Sequence, residues 1–120
     1  MQNLKNKNIP MAVVTGGQRE RVFSILDEYF PGIFKNAVTI DDVENGKPHP
    51  EPFLKGAEML KLDPKECIVI ENAPLGITSA KRAGCLVIAV KTTLTEEYLG
   101  EADFVFDTFR EVEEKLCTLL

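Results

Sequence analysis

The sequence predicts an α/β domain in three layers, a parallel β-sheet covered on both faces by helices. Two observations carry that expectation. Five short apolar runs alternate with amphipathic segments, at residues 11–15, 37–40, 67–71, 86–90 and 104–106, which is the pattern of parallel strands joined by helical crossovers. The runs are also close to continuous in apolar character, most clearly in Cys67-Ile68-Val69-Ile70, as strands buried on both faces must be. The 120 residues, 44% hydrophobic and 28% charged, suffice for a single core.

Each connecting segment has its own signal. After the first run, Val22, Ile25, Leu26 and Tyr29 recur at helical spacing, and Pro31-Gly32 ends that helix. The second run is followed by a loop with Pro48, Pro50 and Pro52 on alternate positions; Pro52 opens a helix with Phe53, Ala57 and Leu60 on one face, closed by Asp63-Pro64. A third helix over residues 75–83 stops at Gly84, a usual residue just past a helix end. The last, over 111–119, places Val112 and Leu116 one turn apart. No internal repeat, low-complexity tract or linker interrupts the chain, so residues 1–120 read as one unit.

Composition narrows the functional classes. A net charge of -5 argues against a nucleic-acid surface, which needs Lys and Arg to displace counterions from phosphates. Small anions stay open, because they need only a local positive site. No apolar stretch approaches the roughly 18 to 20 residues of a membrane span, and residues 1–8 lack the apolar core of a signal peptide, so the expected location is cytoplasmic. Cys67, Cys85 and Cys117 are an odd count without CxxC spacing and read as buried free thiols. With His49 the only histidine, a zinc site is set aside.

In such a sheet, ligands bind beyond the carboxyl ends of the strands, which singles out three segments. Val13-Val14-Thr15-Gly16-Gly17-Gln18 leads a strand through two glycines into a helix, where close backbone approach, helix N–H groups and the Thr15 hydroxyl suit a phosphoryl group. A plain turn with Thr15 as N-cap is the other reading. In Asn45-Gly46-Lys47-Pro48-His49-Pro50-Glu51-Pro52 the prolines stiffen a loop that can hold Lys47 as a fixed cation, or simply carry a solvated lysine. His49, with no orienting carboxylate in view, reads as a surface residue and not a general base. Finally, the apolar strand at 67–70 delivers Glu71 and Asn72 into a loop. An acid there needs a partner or a metal, and Mg²⁺ suits its oxygens; an N-cap role at the next helix is the alternative.

Taken together and in order, Thr after an apolar strand, Gly-Lys-Pro-x-Pro before a helix, and a strand ending in Glu-Asn-x-x-x-Gly-Ile-x-x-Ala-x-x-Ala-Gly resemble motifs two, three and four of the haloacid dehalogenase-like superfamily. The likeness is greatest to the group containing beta-phosphoglucomutase and phosphoglycolate phosphatase, and runs from near Leu4 to the Ala102-Asp103-Phe104-Val105-Phe106 strand. It implies a Rossmann-like, three-layer core and a Mg²⁺-dependent phosphatase or phosphomutase acting on a small phosphorylated metabolite. By the same resemblance, Thr15 with the N–H groups of Gly16 and Gly17 would hold the phosphoryl oxygens. Lys47 would neutralise their charge, and Glu71 and Asn72 would stand at the metal position.

The sequence departs from that pattern in two places. The family's first motif, Asp-x-Asp after an apolar strand, supplies its nucleophile and its acid and base; the adjacent Asp41 and Asp42 lack the spacing, and no such motif occurs in the chain. The chain is therefore expected to be a partial core that begins inside the helix before the family's second strand. It then lacks the first strand and the cap domain, and is inactive alone, with a non-catalytic phosphate-binding or regulatory module as the alternative function. Asn72 stands where Asp is commoner, which predicts weaker Mg²⁺ binding. A response-receiver domain is disfavoured because Thr15 and Lys47 both precede Glu71. Without the family's central strand, the strands ending at Thr15 and Glu71 are expected to pair directly or to be completed by a homodimer.

Overall fold

The computed structural model describes residues 7–91 and 99–119. The expected lead-in near Leu4 lies outside them. The elements run β1 (Ala12–Val14), α1 (Arg19–Tyr29), β2 (Asn36–Val38), α2 (Glu51–Met59), β3 (Ile68–Glu71), α3 (Pro74–Ala83), β4 (Leu86–Val90), β5 (Phe104–Phe106) and α4 (Phe109–Leu119). Short 3₁₀ turns at Ile40–Asp42 and Pro64–Glu66 complete the order. No helix among the described residues is long and apolar enough to cross a membrane.

Every strand pairing is parallel, as the continuous apolar runs predict. The sheet, however, is divided. β1 pairs with β2, and β3, β4 and β5 form a separate sheet in that order, so the direct pairing expected between the strands ending at Thr15 and Glu71 does not occur.

Helices hold the two sheets in one body. Side chains alternate across each strand, and the alternation is visible in the cores. Val69, Val87 and Ala89 join Phe53 of α2 and Ile77, Ala80 and Ala83 of α3 on one face, with Val14 of β1 packed against the same cluster. On the other face Ile88 and Val90 meet Val112 and Leu116 of α4, while Val22 and Leu26 of α1 cover Ala37 of β2. The α2–α3 layer thus spans both sheets, and the expected three layers are present.

Helix ends follow the local chemistry. Gly84 sits at φ 95°, the left-handed region that glycine enters without a Cβ penalty, and its N–H closes onto α3 carbonyls. Thr39 is buried and caps the Ile40–Asp42 turn, its hydroxyl donating to Asp42 at 2.9 Å while Asp42 accepts the Thr39 N–H at 2.8 Å. Of the cysteines expected to be buried, Cys85 is, Cys67 is half-buried and Cys117 is exposed, because it falls on the solvent side of the amphipathic α4. Burial pushes the Cys85 thiol up to about 11, which leaves it protonated and inert near neutrality.

Two carboxylates stitch loops to this frame. The Thr39 backbone N–H, then its hydroxyl, holds the Asp42 carboxyl below its ordinary value. At Asp103 burial pulls upward, but the Val87 N–H bond at 2.7 Å and the Lys81 ammonium outweigh it, and the carboxyl also ends low. A folded-state pKa below the unfolded one stabilises the fold above about pH 3.9, and that contribution is lost as pH falls through the folded value. Asp103→Asn should therefore lower the melting temperature at neutral pH, with a gap to the parent chain that closes as pH falls from about 5 to about 2. A gap independent of pH would show that the charge of Asp103 contributes nothing.

Candidate functional site

At the carboxyl ends of β1 and β3 the structure brings Lys47 between the two sheets. Its ammonium donates to the Val14 carbonyl at 3.3 Å and to Glu71 Oε2 at 2.8 Å, and lies 5.0 Å from the centre of the Phe53 ring. The Lys47 side chain is 22% exposed and that of Glu71 12%. A pair this withdrawn from water depends on geometry, since desolvation offsets much of its Coulomb attraction. The solvated-lysine reading of Lys47 does not describe this site.

The loop around Lys47 is clamped from two directions. Glu51 accepts the backbone N–H groups of Glu44 and Asn45 and the Asn45 amide, drawing the loop into an arch, and these bonds hold its carboxyl below the ordinary value. From α3, the buried Ser79 hydroxyl donates to the His49 carbonyl at 2.6 Å and the Arg82 guanidinium to the Pro48 carbonyl at 3.4 Å. His49 itself is exposed, and its Nδ1 accepts the Glu51 N–H at 3.0 Å, a structural bond at the start of α2.

Glu71 is not an N-cap; Ala73 holds that position for α3. Its Oε1 accepts the Asn72 N–H at 3.1 Å, and Oε2 faces Lys47. Asn72 follows on the exposed side. Gly76 lies so close that a Cβ there would collide with the Glu71 carboxylate.

Thr15 is likewise no helix cap, since Gln18 occupies the N-cap of α1. The Thr15 hydroxyl accepts the Gly17 N–H at 3.2 Å, and Gly17 is anchored through its carbonyl to the Ile40 N–H at 3.1 Å. A Cβ on Gly16 would face open space. The expected free helix end needs correction: Arg19 N–H is already bonded to Asp41 at 3.1 Å, and the Arg19 guanidinium pairs with Asp42. Two acidic residues therefore guard the start of α1.

Sequence reasoning missed Ser79, Arg82, Glu51 and Phe53 as supports of Lys47. Ser79 and Arg82 lie on α3, 30 and 34 residues from the carbonyls they hold, where no spacing rule links them, and the prolines around Glu51 and Phe53 gave no sign that those two support the lysine. It also missed the Thr39-Asp42 cap, although Thr-x-x-Asp is a capping-box pattern that could have disclosed it.

The fold and the strand-end placement of these residues meet the comparisons with known proteins at this point. A family model described as haloacid dehalogenase-like hydrolase matches residues 1–90. The chain belongs to the haloacid dehalogenase-like hydrolases. Hexitol phosphatase A of Escherichia coli (strain K12) is 38% identical over 116 residues, covering 93% of this chain and 52% of its own length. A structure from Bacteroides vulgatus assigned to beta-phosphoglucomutase has a TM-score of 0.89 at 36% identity, covering 98% of this chain and 49% of that one. Another, from Lactobacillus delbrueckii subsp. bulgaricus and assigned to phosphoglycolate phosphatase, has a TM-score of 0.85 at 26% identity, covering 95% and 49%. The chain spans about half the length of the curated relatives it matches.

The contact between Gly76 and Glu71 gives a direct test of the site's packing. Gly76→Ala must push the Glu71 carboxylate away from Lys47, and overpacking of this kind costs about 1–3 kcal/mol. The expected result is a lower melting temperature in thermal denaturation together with a changed chemical shift at the Lys47 ammonium. An unchanged melting temperature would mean that the Glu71 side chain has room the structure does not show.

Proposed function

We propose that this chain is the phosphate- and metal-binding portion of a phosphohydrolase of the phosphatase or phosphomutase type, acting on a small phosphorylated metabolite. The observation that carries the reading is Lys47, a clamped, half-buried cation set between the carboxyl end of β1 and Glu71, next to the Thr15-Gly16-Gly17 turn. In this reading the Thr15 hydroxyl and the Gly16 and Gly17 N–H groups bind phosphoryl oxygens, and Lys47 offsets the charge that builds on them in transfer. Lys47 is held in place before substrate arrives, so little reorganisation of that charge is needed, while the Gly17 N–H would exchange its bond to the Thr15 hydroxyl for one to a phosphoryl oxygen.

The donor set fits Mg²⁺ in kind. Glu71 offers a carboxylate and Asn72 an amide oxygen, the hard ligands this ion prefers, with water and phosphate filling its remaining positions. Among the described residues no group of three or more His, Cys, Asp or Glu converges on one point, so these two residues make only part of a coordination shell. When bound, the ion would supply Lewis-acid stabilisation of the phosphoryl oxygens. The local charge favours linked binding: Lys47 and Glu71 cancel, and Asn72 adds nothing, so a phosphate dianion brings excess negative charge that a divalent cation relieves.

In this reading the nucleophilic carboxylate comes from outside these 120 residues, whose sequence holds no Asp-x-Asp motif. Alone, the chain then binds phosphate without turning it over, which is also the behaviour of a non-catalytic binding module of the same fold. Adding a second chain that carries the carboxylate separates the two, since only the enzyme portion gains turnover.

Titration of inorganic phosphate with Mg²⁺, followed by calorimetry, tests the reading directly. Lys47→Ala should weaken phosphate binding about tenfold or more, the usual worth of a charge-assisted bond. Affinity equal to the parent's, in a variant whose circular dichroism is unchanged, would remove Lys47 from the site. Glu71→Gln should weaken Mg²⁺ in the same titration while leaving a folded chain. Indifference of the metal titration to that change would leave Glu71 as no more than the partner of Lys47.

A further inference from the structure

The residues just before β3 and β4 are both cysteines, Cys67 and Cys85. In the parallel ladder Ile68 stands opposite Leu86, and the Leu86 N–H donates to the Cys67 carbonyl at 3.2 Å, so Cys67 and Cys85 occupy the next matched positions. Side chains alternate across a strand, and both cysteines fall on the face of Val69, Val87 and Ala89, in the cluster covered by α2 and α3. Neighbouring strands lie about 4.8 Å apart, inside the range of roughly 4.4–6.8 Å between Cα atoms that a disulfide spans. The Cys67 sulfur is close enough to add to the burial that raises the Cys85 thiol. Both stand at the amino ends of their strands, the opposite end from Glu71 and Lys47, and neither takes part in the proposed phosphate chemistry.

The two thiols differ in access. Cys85 is 3% exposed, whereas Cys67 is half-buried, its thiol donating to the Asp63 carbonyl at 3.5 Å. A dissolved oxidant therefore reaches Cys67 first, and Cys85 reacts only with a sulfur already activated beside it. Burial, then Glu66 and Asp63, hold the Cys67 thiol above its ordinary value, so its reactive thiolate is scarce near neutrality and grows as pH rises.

We propose that Cys67 and Cys85 form a reversible disulfide, with a low-molecular-weight disulfide as the oxidant. The Cys67 thiolate attacks one sulfur of the oxidant, forming a mixed disulfide and releasing the other half as a thiolate. Cys85 then attacks the Cys67 sulfur; the second half leaves with the Cys85 proton, and the Cys67–Cys85 bond remains. Two protein thiols thereby lose two electrons and two protons, which reduce one small disulfide to two thiols. Side chains set straight across a parallel pair must be drawn together to reach the Cβ separation of about 3.8 Å that the bond prefers, and strain of that kind makes it easily reduced. The cross-link ties β3 to β4 and closes a loop that carries Glu71, Asn72 and all of α3, so the pair is a redox-sensitive brace on the elements that hold Lys47.

The test uses the full chain with Cys117→Ser, which removes the exposed thiol, incubated with oxidised glutathione in mildly alkaline buffer. Mass spectrometry should show a monomer lighter by two hydrogen atoms, whose proteolysis yields fragments joined through Cys67 and Cys85, and dithiothreitol should return both thiols to alkylation. Adding Cys85→Ala should stop the sequence at a glutathione mixed disulfide on Cys67, and adding Cys67→Ala should leave Cys85 unmodified in the folded chain. Two free thiols after the incubation, a link that forms only in denaturant, linked dimers in place of the monomer, or glutathione on Cys85 in the folded Cys67→Ala chain would each overturn the proposal. The outcome does not depend on the phosphate titration, so the disulfide and the proposed function can each fail alone.

Discussion

The arrangement depends on one ammonium group. Lys47 contacts the last carbonyl of β1 and the terminal acid of β3, strands that belong to different sheets. A lysine on a mobile loop would lose this position to side-chain entropy, which is why so much of the surrounding structure serves to hold its backbone. Glu51 clasps the loop at one end, Ser79 and Arg82 pin its carbonyls to α3 at the other, and Phe53 supports the charge from below. Each of these contacts narrows where the ammonium can sit, and a fixed charge stabilises only what it is already aimed at.

Below that polar end, the two sheets cohere through side chains instead of backbone bonds. The cluster joining Phe53, Val69, Ile77 and Val87, with Val14 packed on it, crosses the line where the backbone ladder is broken. Hydrophobic contact is non-directional and tolerates a break between two sheets more readily than a hydrogen-bonded ladder does. A helix layer can therefore keep β1 and β3 aligned while their facing edges stay apart.

Much of this was legible in the sequence because it depends on short-range rules. The run at 86–90 and the Phe-Val-Phe at 104–106 coincide with β4 and β5, and Gly84 ends α3 in the left-handed conformation its position suggested. Strand ends were read less well. The run expected to extend to Ile40 breaks at Val38, because Thr39 and Asp42 exchange side-chain and backbone bonds that favour a tight turn over a strand. The placement of Thr15, Lys47 and Glu71 at strand ends was also visible. What surrounds them was not, since Ser79 reaches His49 and Lys47 reaches Glu71 across 30 and 24 residues of chain. The divided sheet escaped for the same reason, being a matter of which edges meet and not of what any segment prefers.

Asp41 and Asp42 show how local structure narrows function. Both sit where the dipole of α1 would otherwise draw an anion, and Asp41 takes the Arg19 N–H while Asp42 pairs with its guanidinium. These bonds settle the helix end with the protein's own carboxylates. On the proposed reading, a phosphate would meet like charge toward α1, so the same acids that cap a turn would also bias an anion toward the Thr15-Gly16-Gly17 turn and Lys47. The polarity of the site arises in this way from capping chemistry as much as from the single lysine at its centre.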